Sequence, residues 1–496
     1  REGRRKYELQ KGSLAATRRK ESESAEAQAE KIASATPAGT AVQHELAEDA
    51  LNALGTPTKQ CKRLATCIKK GVAFHHAGLA SKQRELIEDA FRAGTISIIC
   101  STPTLAAGID MPAYRAIIRD LTRYSGGWGM VSISVLEYLQ MAGRAGRPGM
   151  EKEGEAITLA TTHAREEEIA EHYIRGMPEE ITSKLAAEPA LRSAILSLIA
   201  STYCTTEEAL LAFFERTFYA HHYGDLGKIR SIIERMLGNL QAWGFVERTD
   251  AQGDFVPANE LQAGRVNATA LGRRVSELYL DPYTAHFLIT CLRTASNIGE
   301  HAFSYIHMLA CTLEMRPLLR ARPREIQDIE ERVLPTSDTL YTKTPNIYDD
   351  DYQEFLDSLK TALFLQDWCE ETTEDSLMDR YDVRPGEIHA KLERADWICY
   401  ASEEICRLLS LKEPQRALAK LRVRLKHGAK EELFPLLKFK NIGRAGTQTL
   451  RQQRERCRRS AAHLAHRTHA SCRTQNRAGS QAPSRRGDDF GTSQSA

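Results

Sequence analysis

From residue 71 onward the apolar positions follow two alternating rhythms. "GVAFHHAG" (71–78) is a short apolar run that reads as a strand, and "SKQRELIEDAFRAG" (81–94) repeats its apolar residues at helical spacing until Gly94. "ISIICSTPTLAAGIDMP" (96–112) is a buried strand that breaks into a Gly/Pro loop, and "YRAIIRDL" (114–121) and "EAITLA" (155–160) add two more strand patterns. Strands alternating with helices over about 170 residues predict a parallel sheet with ligand loops at the strands' carboxyl ends. The segment before it passes from a basic lead-in to a polar, alanine-rich helical stretch.

Beyond Met177 the strand rhythm fades. Residues 180–277 carry helical periodicity, and "LQAWGFVERTDAQGDFVPA" (240–258) reads as a helix leading into a two-stranded wing. Residues 278–413 read as almost wholly helical, punctuated by Pro317, Pro323, Pro335, Pro345 and Pro385. In the helix predicted from Gly386 to Leu409, Ile388, Leu392, Ala395, Cys399 and Cys406 share one stripe. Trp397 stands about 200° round from Ala395, so it either packs on another domain or stacks on a base. From residue 445 the tail has arginine but no lysine and almost no large aliphatic residues, so it reads as disordered and basic.

Composition sharpens this little: 42% hydrophobic, 27% charged and a formal net charge of +2 over 496 residues describe a multi-domain globular chain. A case for nucleic acid must therefore rest on local patches. Eleven cysteines without a C-x-x-C pair suggest neither a zinc knuckle nor a disulfide framework. No run is long enough to span a bilayer and no signal peptide opens the chain, so a cytoplasmic protein without a membrane partner is expected.

The chemistry concentrates in "QMAGRAGRPG" (140–149). Arg144 and Arg147 lie three apart among glycines, with Gln140 just upstream, a spacing that suits bidentate contact with phosphate. "STPTLAAGIDMPA" (101–113) places Thr102, Thr104, Gly108 and Asp110 at a strand-to-loop turn, and "HHAGL" (75–79) and "ATRR" (16–19) precede it. Adjacent histidines on a strand point to opposite faces, so His75 and His76 read as packing or backbone-contact residues rather than a metal pair. "RYSGGWGMVSISVLEY" (123–138) has a glycine-rich tip between strand-forming residues and reads as a hairpin.

In this order these segments resemble motifs IV, IVa, V and VI of superfamily-2 helicases, closest to the archaeal HelQ-like DNA repair helicases. The resemblance runs over residues 13–444, through "LQAWGFVE", "LYLDPYTA", "RADWICYA" and "HGAKEELFPLLKFKNIGR". It implies a multi-domain α/β plus all-α fold. The parts would be a second RecA-like lobe (1–178), a winged helix (179–277), a helical ratchet domain (278–413), the start of a helix-loop-helix end (414–444) and the tail (445–496). It implies ATP and Mg²⁺ as cofactors. Gln140, Arg144 and Arg147 would be catalytic at the γ-phosphate, and Gly108, Asp110 and Gly143 would be nucleotide-side residues, although the family usually has Asn where Asp110 stands. Thr17, Arg18, Gly78, Thr102 and Thr104 would grip one strand's backbone. Tyr124 or Trp128 would meet the last base pair, and Trp397 would stack on single-stranded DNA. Ala390 stands where the family has a ratchet arginine, with Lys391 or Arg394 as substitutes. The implied activity is 3′-to-5′ translocation on single-stranded and forked DNA by a monomer, with replication or repair proteins as partners.

Nothing in the chain reads G-x-x-x-x-G-K-[ST], and no D-E-x-H follows a strand. The expectation is a C-terminal part of a helicase whose phosphate-cradling lobe lies elsewhere, inactive as an ATPase by itself. For the tail two readings stay open: a basic nucleic-acid arm, or a two-base slip after Arg444, which the nucleotide sequence would distinguish. Two rival functions also stand, an RNA helicase of the same branch and a non-catalytic nucleic-acid-binding module.

Overall fold

Ser13–Ala16 (β1), the strand with the weakest apolar signature, lies in the middle of a five-stranded sheet in this computed structural model. Residues 13–16, 21–53, 57–103, 111, 113–125, 129–146, 153–249 and 264–437 are described. The strand order is β2 (Val72–His75), β3 (Ile98–Ser101), β1, β4 (Arg115–Ile118) and β7 (Glu155–Thr158), all parallel. Strands β2, β3, β4 and β7 each fall inside a predicted apolar run; β1 does not. Helices α1 (Glu21–Ala35), α2 (Ala41–Leu51), α3 (Lys59–Ile68) and α4 (Ser81–Arg92) enclose one core with β2 and β3. Gly94 takes the left-handed conformation just past α4 (φ 75°), where the pattern predicted the stop.

The expected hairpin is β5 (Thr122–Ser125) against β6 (Gly129–Ser132), antiparallel, with Ser125 opposite Gly129. Helix α5 (Val135–Ala142) follows, opened by a capping box between Ser134 and Glu137. After β7 come α6 (His163–Ile169) and one π-helical turn, whose Tyr173 hydroxyl donates to the Ile133 carbonyl.

The next part is built from α7 (Glu188–Ala200), α8 (Glu207–Glu215), α9 (Phe218–Tyr223), α10 (Leu226–Ala242), the ribbon β8 (Val246–Thr249) with β9 (Arg265–Ala268), and α11 (Ala270–Glu277). The ribbon's second strand thus falls after the segment read as the wing. The remainder is helical: α12 (Pro282–Ile298), α13 (Ala302–Ala310), α14 (Ile326–Val333), α15 (Tyr352–Cys369), α16 (Glu374–Tyr381), α17 (Pro385–Leu408) and α18 (Lys412–His427). One apolar core runs from Leu191 through Val275 and Leu280 to Leu425, so the boundaries expected at 277/278 and 413/414 are not breaks in packing.

That core holds one fully buried imidazole. His307 Nε2 lies 2.9 Å from Ser358 Oγ, its Nδ1 3.3 Å from Thr342 Oγ1, and the Cys311 thiol 3.4 Å from Nε2. Burial lowers the His307 pKa from 6.5 to about 4. The unfolded chain therefore binds the extra proton first, so this contribution to stability is complete above pH 6.5 and is lost as pH falls toward 4. Between pH 7.5 and 5 the loss from this site is expected to be about 2 kcal/mol. Urea midpoints across that range check it: His307→Asn should flatten the slope, and an equally steep slope in the variant would refute the assignment.

Candidate functional site

Strands β1, β2 and β3 end level with one another, since Ala16 and His75 both pair with Ser101. Of the residues just beyond them, 76–79 and 102–103 therefore leave the sheet at one edge. Thr17, Arg18 and Thr104 lie outside the described residues. Thr102 is buried, with its N–H donating to the His75 carbonyl at 3.3 Å.

The "HHAGL" turn is built from the inside. Gly78 N–H donates to His76 Nδ1 at 3.1 Å, which leaves the proton on Nε2, 3.1 Å from Glu26 Oε1 on α1. The same oxygen accepts from Gln60 Nε2 at 2.6 Å, and Arg63 pairs with both Glu26 and Glu30. Burial works to raise the Glu26 pKa, but the hydrogen bonds from His76 and Gln60 and the neighbouring positive charges outweigh it and hold the carboxyl below its ordinary value. His75 points elsewhere, with Nε2 2.9 Å from Glu88 Oε1, and burial keeps its pKa below the usual imidazole range. The two imidazoles thus answer to carboxylates on different helices. Among the described residues no group of three His, Cys, Asp or Glu stands together as a metal site.

Gly78, expected to grip one strand's backbone, has both of its own backbone groups engaged within the protein. Its N–H is committed to His76, and its carbonyl accepts the Gly386 N–H at 2.9 Å. Sequence reading overlooked Gly386 itself. Its signal was a glycine in the first turn of a strongly patterned helix, a position where an ordinary side chain would be at home.

The arginine turn stands at the sheet's other end. Ala145 bridges Ala113, and Gly146 N–H donates to the Ala113 carbonyl at 3.2 Å, just before β4 begins. Residues 76–79 and 102–103 leave from the carboxyl ends of β2 and β3 instead. The reason is chain direction: a helix joining parallel strands carries the chain back from their carboxyl ends to their amino ends, so the last turn of α5 arrives there. Gln140 is exposed on α5, and Gly143 caps its end. Arg144 is only 8% exposed, and that burial lowers its pKa from the ordinary guanidinium value. Arg147, Gly108 and Asp110 lie outside the described residues, as does Trp128. Tyr124 lies on β5, opposite Met130 in the hairpin ladder.

Helix α17 buries the predicted stripe, with Ile388, Leu392, Ala395, Cys399 and Cys406 all inside, and adds Lys391, Ile398, Ala401, Ser402 and Ile405. Trp397 lies off that stripe, half-buried, and its indole N–H donates to the Leu278 carbonyl at 3.0 Å. One polar edge is thus anchored where α11 gives way to α12. Lys391 Nζ donates to the Pro317 carbonyl at 2.6 Å, and Arg394 to that of Arg316 at 2.7 Å. Burial lowers the Lys391 pKa to about 8. Both cations proposed to stand in for the missing arginine therefore hold the Arg316–Pro317 turn.

A family model described as the helicase conserved C-terminal domain matches residues 52–149, which span β2–β6 and the arginine turn. One described as archaeal helicase, domain 4, matches 303–428, from α13 to the end of α18. With these matches and the relatives below, the chain belongs to the superfamily-2 helicases, in the group of archaeal DNA helicases. It is 37% identical over 441 residues to the ATP-dependent DNA helicase Hel308 of Methanococcus vannielii, covering 82% of this chain and 56% of the relative. The Hel308 proteins of Methanocella arvoryzae (36% identity, 82% of this chain and 53% of the relative) and Pyrococcus abyssi (38%, 79% and 52%) are similar in the same way. The chain spans about half the length of the relatives it matches. Among the described residues no helix is long and apolar enough to cross a membrane.

Proposed function

We propose that this chain supplies the second RecA-like lobe, the winged helix and the ratchet bundle of an ATP-dependent DNA helicase. It would move 3′ to 5′ along one strand and open forked duplex. The supporting observation is that one lobe carries an arginine turn at one end of its sheet and a strand-end edge at the other. The first suits a nucleotide, the second a nucleic-acid backbone, and a sheet between them can link the two.

Nucleotide hydrolysis would supply the free energy. Arg144 and Arg147 would neutralise charge developing on the terminal phosphate, with Gln140 orienting them and Gly108, Asp110 and Gly143 lining the approach. Because Arg144 is largely buried, the same guanidinium would also brace the turn that presents Arg147. Mg²⁺ would neutralise phosphate charge beside the nucleotide. On the nucleic-acid side, Trp397 would stack a base while its indole N–H stays tied to Leu278, a contact indifferent to base identity. The hairpin would stand at the strand junction.

Binding of the chain to fluorescent oligo(dT) tests this reading. Trp397→Ala is expected to weaken binding by roughly 1–3 kcal/mol, the range for one base–aromatic stack, while Trp397→Phe retains most of it. An oligonucleotide affinity unchanged by Trp397→Ala would remove the stacking role, and tighter binding of matched oligo(rU) would favour an RNA substrate.

A further inference from the structure

The lobe and the bundle meet backbone to backbone. Gly386 is the second residue of α17, and its N–H donates to the Gly78 carbonyl at 2.9 Å. First-turn amides of a helix have no partner within the helix, so this donor is available to another element. A Cβ on Gly386 would lie 2.1 Å from the Ala77 oxygen and 2.7 Å from that of Leu79. One on Gly78 would lie 2.8 Å from Arg384 Cβ and 2.9 Å from His76 Nδ1. Neither position has room for a side chain, and the obstacles on the Gly386 side are backbone atoms that cannot swing away.

Both halves of this contact are braced. On the lobe side, His76 supports Gly78 from below, and Glu26, Gln60 and Arg63 tie it to α1 and α3. On the bundle side, Pro385 opens the helix and the Arg384 N–H donates to Glu387 Oε2 at 2.8 Å. Lys59 of α3 reaches Asp379 of α16 at 3.2 Å, a second and solvent-exposed link between the same two parts. Trp397 stands eleven residues beyond Gly386, about 16 Å along the same helix at 1.5 Å per residue. The chain itself connects Leu79 to Gly386 only through more than the whole winged-helix region, so the direct contact is the short route. Close-packed elements transmit displacement instead of absorbing it.

We propose that the Gly78–Gly386 contact is the mechanical joint through which movement of the parallel-sheet lobe displaces α17 and carries Trp397 along a bound strand. Gly386 is then a positioning residue. The proposal rests on the reading of the protein as an ATP-driven DNA translocase. Its signature is a split between two activities: an altered joint lets nucleotide turnover continue but wastes it.

The experiment compares wild type and Gly386→Ala in the complete helicase that contains this chain, measuring DNA-stimulated phosphate release and base pairs opened per ATP. Gly386→Ala is expected to keep turnover near the wild-type rate while base pairs opened per ATP fall about tenfold or more, as when a positioned group moves by an ångström. An unchanged ratio overturns the joint. If Gly386→Ala loses cooperative thermal unfolding, the exposed pair serves instead: Lys59→Glu should lower the ratio, and Lys59→Glu with Asp379→Lys should restore it. A ratio indifferent to both overturns the proposal as well. Wild-type protein without DNA-stimulated turnover would defeat the functional reading itself, a result distinct from turnover with an unaltered variant ratio.

Discussion

Asp281→Ala is expected to destabilise the helical part of the protein by about 3–5 kcal/mol, the range for removing one partner of a buried ion pair. Asp281 Oδ1 and Oδ2 accept from Arg192 Nε at 2.6 Å and Nη2 at 3.0 Å, a bidentate fork between the start of α12 and the middle of α7. Both side chains are only 9% exposed. The same Oδ1 caps α12 through the Tyr283 N–H at 2.8 Å, and the guanidinium lies 5.3 Å from the Tyr283 ring centroid. Removing the carboxylate therefore leaves the buried cation only the half-exposed Glu188 at 4.0 Å and uncaps a helix in one step. Asp281→Asn keeps an acceptor for the cap but not the charge, so it should fall between alanine and wild type. Urea unfolding near pH 7, followed by helical circular dichroism, measures both. A loss below about 1 kcal/mol for alanine would mean that Arg192 finds water when its partner goes.

The largest effect on activity is expected from Arg144. In the complete helicase, Arg144→Ala should lower DNA-stimulated ATP turnover by about 10³-fold or more, the magnitude associated with an arginine that stabilises a transferring phosphoryl group. The loss should appear in kcat, with KM for ATP changed far less, because the interaction strengthens as charge develops. Arg144→Lys keeps a cation but not the planar fork, and it should recover little. Since Arg144 is nearly buried beside the Ala113–Ala145 bridge, thermal unfolding of each variant separates a lost catalytic contact from a loosened turn. Turnover within tenfold of wild type in a well-folded Arg144→Ala protein would leave the catalytic role to Arg147 or elsewhere.

The sequence by itself determined most of the elements of the sheet and the buried face of α17. Short apolar runs marked β2, β3, β4 and β7, and the stripe Ile388, Leu392, Ala395, Cys399, Cys406 marked the buried face of α17. Such readings succeed because side-chain direction follows residue number within one strand or helix. The glycine–arginine spacing prompted the phosphate role proposed for Arg144 and Arg147 for a similar reason, since those residues are neighbours in the chain.

Tertiary structure decided which of those pieces meet. That β1 is central was not legible in its composition, because a strand's place in a sheet depends on its neighbours. The arginine turn sits at the amino end of β4 because the direction of a crossover helix is a property of topology, not of the segment. Lys391 and Arg394, free to grip a strand as far as the pattern goes, hold a turn some 75 residues away in the chain. Gly78 and Gly386 carry no side chain from which a partner could be guessed. Their contact exists because two backbones approach to hydrogen-bonding distance, and only the packed fold brings them there.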